Sequence, residues 1–153
     1  MNDIDEVAVL ALNAAHETET APLASAQLHA LLAQAFHVGL SAQGRDAFLI
    51  ALDQDAQSAS PNFHWFKSRY PRFVYVDRVI VAGHKRGLGL ARKLYEDLFA
   101  AAAKAGHVLI GCEVNVQPPN PASDGVHEAR RLVEVGRAAI REGKVVRYLV
   151  RSI

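Results

Sequence analysis

The chain carries one cysteine, one methionine and one tryptophan among 153 residues. With Cys112 alone, an internal disulfide and a cysteine-based zinc knuckle are both excluded. The apolar run HVLIGCEV around it reads as the setting of a buried thiol rather than a reactive one. Long hydrophobic runs are missing too: none reaches the roughly eighteen residues that a membrane span requires. The opening MNDIDEVAVL is acidic where a secretory signal is basic, so a cytoplasmic protein with no membrane partner is expected. A net charge of +1 gives no ground for a nucleic-acid partner. No Gly-Lys-Ser/Thr closes a Walker A loop, and no Gly-x-Ser-x-Gly elbow offers a serine nucleophile. His29 and His37 have no second histidine or carboxylate at metal-site spacing, so both read as packing or surface residues and no metal is expected.

What is present is the makeup of a globular protein, 50% hydrophobic and 22% charged, and one domain over residues 1–153 is expected. The charge is uneven along the chain. Residues 1–76 hold four Lys/Arg against eight Asp/Glu, and residues 77–153 hold thirteen against eight. An anionic ligand held by the C-terminal half and a scatter of solvated Arg and Lys both accord with this asymmetry.

Helical and strand patterns alternate. DEVAVLALNAAHE, with Val7, Leu10, Leu12 and Ala14, predicts a helix, and SAQLHALLAQAF predicts a stronger one, with Leu28, Leu31, Leu32 and Phe36 on one stripe and Ser25 as its cap. DAFLIALDQ predicts a strand, then a polar loop to Pro61. In PNFHWFKSRYPRF, Phe63, Phe66 and Tyr70 recur at helical spacing beside Trp65, which suits a satellite core or a pocket wall. RFVYVDRVIVA predicts a long strand with Phe73, Tyr75, Asp77, Val79 and Val81 on one face and Val74, Val76, Arg78 and Ile80 on the other. HVLIGCEVNVQPPN predicts another, Val108, Ile110, Cys112, Val114 and Val116 alternating with Leu109, Gly111, Glu113 and Asn115. GRAAIREGKVVRYLV predicts two strands joined at Glu142-Gly143. His84 and His107 fall at loop positions and read as solvated.

Between the long strand and a helix whose stripe is Leu90, Leu94, Leu98 and Ala102 lies HKRGLGLA. Gly87 and Gly89 therefore sit at a strand-to-helix turn, where backbone N–H groups lack partners and the helix dipole is positive. Glycine there lets an anion such as a pyrophosphate approach the backbone. A Rossmann fingerprint needs a third glycine where Arg92 stands, so that motif is excluded.

Arg86-Gly87-x-Gly89-x-Ala91, entered from a strand, resembles the acetyl-CoA pyrophosphate loop of the GNAT superfamily of N-acetyltransferases. The resemblance covers roughly residues 5–151. Asp77 stands where many members carry a carboxylate on the fourth strand, HVLIGCEVNVQPPN is similar to the fifth, and NPASDGVHEARRLVEVG matches the following region through Asn120, Ser123, Val126, His127 and Gly136. YPRFVYVDR, CEVNVQPPNPASD and VRYL together resemble a bacterial group of predicted acetyltransferases. The resemblance implies an α/β (α+β) GNAT fold: a central, mixed, mostly antiparallel twisted sheet with helices on both faces and strands four and five splayed. It implies acetyl-CoA as cosubstrate, contacted by Val79, Ile80, Val81, Arg86, Gly87, Leu88, Gly89, Leu90, Ala91, Asn120 and Ser123. Three departures stand out: His127 replaces the usual Tyr, Arg130 to Leu132 replace Leu-Gly-Phe, and few residues precede Glu6 where a first strand is expected.

Acetyl transfer to an amine needs the amine deprotonated, the carbonyl polarised and the leaving thiolate protonated. An alkyl ammonium has a pKa near ~10.4, so a base is required, and Asp77 or Glu113 is the candidate. His127 is the candidate acid. With no acyl-carrier motif at Cys112, direct attack in a ternary complex is expected. The acceptor is a small-molecule or peptidyl amine, and a homodimer through VVRYLV is open by analogy. The alternatives are a regulatory domain that binds acetyl-CoA without turnover and an interaction module whose glycines only form a tight turn.

Overall fold

The computed structural model describes residues 4–16, 22–117, 127, 130–141 and 144–153. The expectations at Asn120, Ser123, Val126 and Glu142-Gly143 lie outside these residues. Helix α1, Glu6–Ala14, begins where Asp5 accepts the N–H of Ala8 at 3.0 Å, a side-chain cap on an otherwise unpaired donor. Its buried side is Val9 and Asn13, while Val7 and Ala14 are exposed. Helix α2, Ser25–Gln34, is capped at Ala24 rather than Ser25, with Gln27 Oε1 accepting the Ala24 N–H at 2.8 Å. It stops before Phe36 because the chain turns extended at Ala35 to enter strand β1, His37–Ser41. That strand is short, with only Val38 and Leu40 as apolar alternating positions, and was not expected from the sequence. Strand β2 is Ala47–Asp53, helix α3 is Pro61–Lys67, strand β3 is Val74–Val81 and helix α4 is Leu90–Lys104. Strands β4, Leu109–Gln117, β5, Val133–Arg141, and β6, Lys144–Ser152, complete the sheet. Among the described residues no strand precedes α1.

The six strands lie in the order β1-β2-β3-β4-β6-β5. All neighbours are antiparallel except β3 and β4. The mixed, mostly antiparallel sheet with helices on both faces is the expected one. On one face α4 buries Leu94, Tyr95, Leu98 and Ala102 against Leu49, Val76, Ile110, Cys112 and Leu149. On the other, α1 and α2 cover Phe48, Ile50 and Ile80, and α3 covers Leu52, Phe73, Tyr75 and Tyr148. VVRYLV lies in β6, which pairs with β4 and β5 on its two sides. It has no edge to offer a second copy; β1 and β5 are the edge strands.

The two faces expected for β3 are corrected by one residue. Ile50 pairs with Arg78 and Ala51 with Val76, so Asp77 is the extra residue of a β-bulge and the alternation changes phase there. Val74, Val76, Val79 and Val81 consequently share the α4 face, while Tyr75, Arg78 and Ile80 turn to the other.

The aromatic segment is core. Phe63 and Phe66 are buried, and Trp65 stacks on Tyr148 at 4.2 Å between centroids, an arrangement that contributes beyond the area buried. His107 corrects the solvated expectation: it is 5% exposed and meets the edge of Phe36 at 5.1 Å. Arg131, standing where the resemblance has glycine, holds φ at 61°, a left-handed conformation that costs a non-glycine residue about 1 kcal/mol. Leu132 beside it is buried against the α4 face.

A Cβ on Gly111 would enter the ring of Phe66, so α3 can seat on β4 only over a bare backbone. Gly111→Ala is expected to lower unfolding stability by about 2 kcal/mol through overpacking, read from urea denaturation. An unchanged midpoint would show that Phe66 is not locked there.

Candidate functional site

Strands β3 and β4 pair only at Val74 with Ile110 and Tyr75 with Gly111. Beyond that point they part, and a cavity of about 460 Å³ lies along the exposed inner edge of β3 from Val76 to Val81. Parted strands leave backbone N–H and C=O groups without a ladder partner, and such groups demand another. Cys112 and Glu113 of β4 form part of the cavity wall, with His16, Tyr95, His127 and Arg130.

At its far end the chain leaves β3, makes a 3-10 turn at Gly83–Lys85 and reaches α4 through Gly87 at φ 84° and Gly89 at φ 77°. Both values favour glycine, and Gly89 is the helix N-cap with no side-chain cap on α4. Nothing stands within 4 Å of where a Cβ would lie on either glycine. The first turn of α4 therefore presents its N–H groups to open space, with Lys85 and Arg86 beside it. This is an anion cradle of the kind a pyrophosphate occupies, and the residues present suit the phosphates of acetyl-CoA.

Of the residues named from the sequence, Asp77, Glu113, His127, Val79, Ile80, Val81, Arg86, Gly87, Gly89, Leu90 and Ala91 all line this one cavity. Leu88 does not; it is 66% exposed. Asp77 and Glu113 differ in their surroundings. Asp77 Oδ2 accepts from Arg78 Nε at 2.7 Å, with both side chains 8% exposed, and Arg78 Nη1 donates onward to Asn13 Oδ1 at 2.8 Å. That carboxylate is held in an ion pair at the bulge. Glu113 Oε2 instead accepts from Tyr75 Oη at 2.7 Å. Removal from water pushes Glu113 up to about 7, the Tyr75 hydrogen bond pulling it down and Asp77 pushing it up. His127 is 3% exposed, with Nε2 2.7 Å from Tyr95 Oη. Burial pushes the Tyr95 phenol and the Cys112 thiol well up.

Sequence reasoning missed Tyr75, Arg78, Tyr95, His16 and Arg130. Tyr75 and Arg78 were assigned to faces by an unbroken alternation that the bulge interrupts. Tyr95 follows Leu94 but is not one of the stripe residues Leu90, Leu94, Leu98 and Ala102; it is buried in the structure, and only its hydroxyl marks it. Among the described residues no group of three or more His, Cys, Asp or Glu side chains is placed to hold a metal ion, and no helix is long and apolar enough to cross a membrane.

No protein-family model and no curated protein matches the chain. Solved structures do. An N-acetyltransferase from Staphylococcus aureus Mu50 superposes with a TM-score of 0.68 at 14% identity, over 97% of this chain and 92% of that one. A chain of the NatC complex bound to Gag peptide and CoA gives 0.71 at 16%, over 99% and 92%. The ribosomal-protein-S18-alanine N-acetyltransferase from Escherichia coli gives 0.68 at 16%, over 97% and 88%. The chain has the fold of these GNAT N-acetyltransferases.

Because the Tyr75 hydrogen bond favours the ionised carboxylate, Tyr75→Phe is expected to move Glu113 titration above about 7. Carbon-13 NMR of labelled glutamate side chains measures it; a midpoint that falls or stays fixed would contradict the pairing.

Proposed function

We propose that this chain is an acetyl-CoA-dependent N-acetyltransferase that moves an acetyl group to the primary amine of a small molecule or peptide, by direct attack in a ternary complex. The observation that carries the proposal is the sharing of one cavity by the glycine-rich N-terminus of α4 and by Glu113, at the point where β3 and β4 part. One part is built for an anion, and the other for moving a proton. The fold of the solved N-acetyltransferases supports this, since one of them holds CoA with a peptide. We extend the proposal to a single cytoplasmic domain without nucleic-acid or membrane partners.

Acetyl-CoA, when bound, supplies the activated acetyl group and the thiol leaving group. The N–H groups of Gly87, Gly89 and the first turn of α4 hold its pyrophosphate, and Lys85 and Arg86 neutralise phosphate charge. The free edge of Val79, Ile80 and Val81 orients its amide-bearing arm, and backbone N–H groups in the gap polarise the thioester carbonyl. Glu113 takes the proton of the incoming amine, directly or through water. Its rise from 4.5 to about 7 brings it roughly 300-fold closer to an ammonium near ~10.4 than an ordinary carboxylate would be. Asp77, tied to Arg78, serves the site chiefly by fixing the bulge. His127 delivers a proton toward the departing sulfur.

Calorimetric titration with acetyl-CoA, followed by acetylation assays on a panel of amines, tests the proposal. Binding by the natural chain and its loss in Gly89→Glu are expected, the new side chain filling the cradle. Glu113→Gln should keep cofactor binding and lose about a hundredfold or more in kcat. Because Glu113 must be ionised, kcat/KM of the natural chain should fall as pH drops below about 7, a limb absent from the variant. Binding without turnover on any amine would leave a regulatory acetyl-CoA domain; no binding would leave the glycines as a tight turn alone.

A further inference from the structure

A buried imidazole that changes charge must find a new hydrogen-bond partner in each state, because an orphaned ring nitrogen is costly. Tyr95, in the second turn of α4, meets His127 edge-on at 5.5 Å between ring centroids, with Oη 2.7 Å from Nε2. Cys112 of β4 lies beside the same hydroxyl, and burial together with the sulfur pushes the phenol up. A hydroxyl both donates and accepts, so the Tyr95–His127 pair has two consistent directions. With the imidazole neutral and its ring proton on Nδ1, Tyr95 O–H donates to Nε2. With the imidazolium, Nε2–H donates to Tyr95 Oη, whose own hydrogen turns away from the ring. Neither direction leaves Nε2 without a partner.

We infer that Tyr95 is a positioning residue that lets the buried His127 change protonation state in place; the use of that change rests on the acetyltransfer reading, but the geometry does not. Burial keeps the Tyr95 phenol and the Cys112 thiol protonated, so neither takes the proton that His127 handles. Among the described residues, the charged groups felt by the cluster are Glu113 of β4, Arg130, and Arg147 of β6, the carbonyl of Arg130 accepting from Arg151 of β6 at 2.8 Å. Glu113 favours the imidazolium and the two arginines oppose it. Phenylalanine at 95 would keep the shape and leave Nε2 against a ring edge, which holds the imidazole neutral.

The test is the titration of histidine ring carbons by NMR in the full chain, the His127 signal being identified by its loss in His127→Asn. In Tyr95→Phe the His127 midpoint is expected to fall by a unit or more, a tenfold change in proton affinity. The kcat should fall about tenfold with it, while the KM for acetyl-CoA stays within twofold. A midpoint unchanged in Tyr95→Phe, or a His127 that does not titrate in the natural chain, would overturn the inference. Should no amine be acetylated by the natural chain, the acetyltransfer reading fails, and the titration still decides whether Tyr95 governs His127.

Discussion

The parting of β3 from β4 after two paired residues is the constraint on which the rest of the structure depends. A parallel pair that stops early strands the hydrogen-bonding edges of both strands inside the sheet, a position that is stable only if the groups find other partners. The bulge at Asp77 sits where the separation begins and turns β3 away, and the Asp77–Arg78–Asn13 chain ties that bend to α1. Below the fork, Gly111 lets Phe66 seat directly on β4. Above it, the α4 N-terminus closes the end of the cavity with a backbone free of side chains. A ligand with amide groups along its length and phosphates at one end matches both features.

Two tyrosines from opposite faces of the sheet serve the two titratable groups in that fork. Tyr75 rises from the aromatic core beneath α3 to bond Glu113, and Tyr95 comes from α4 to bond His127. Each phenol is buried and stays protonated, so each acts on its partner through one hydrogen bond without adding charge. The carboxylate is thereby kept from the still higher value that removal from water alone would produce. Polar groups so placed hold the site to one geometry at the cost of needing full satisfaction.

Much of this was legible in the sequence because it depends on local rules. The α4 stripe, the paired glycines before it and Pro61 before the helical spacing of Phe63 and Phe66 are signals of a few residues' reach, and the elements follow them. Strand β1 escaped because His37–Ser41 is only five residues with a central glycine and directly follows a helical stripe, its pairing being supplied by β2. The faces of β3 were misread because a bulge is set by cross-strand register, which no single strand's pattern reveals. For the same reason Asp77 and Glu113 looked equivalent as bases, whereas one is held by arginine and the other by tyrosine. His107 looked solvated because it follows a helix, yet the packing of Phe36 covers it. Tyr95 lies outside the stripe of Leu90, Leu94, Leu98 and Ala102, so that reading marks neither its burial nor its hydroxyl.

The central claim is that the fork between β3 and β4 and the start of α4 form one ligand site. Hydrogen–deuterium exchange of the full chain with and without acetyl-CoA measures it directly. The account predicts slowed exchange confined to residues 79–81 and 87–92, together with the Cys112 and Glu113 amides. Protection elsewhere, or none at a concentration where binding is saturated, would contradict it.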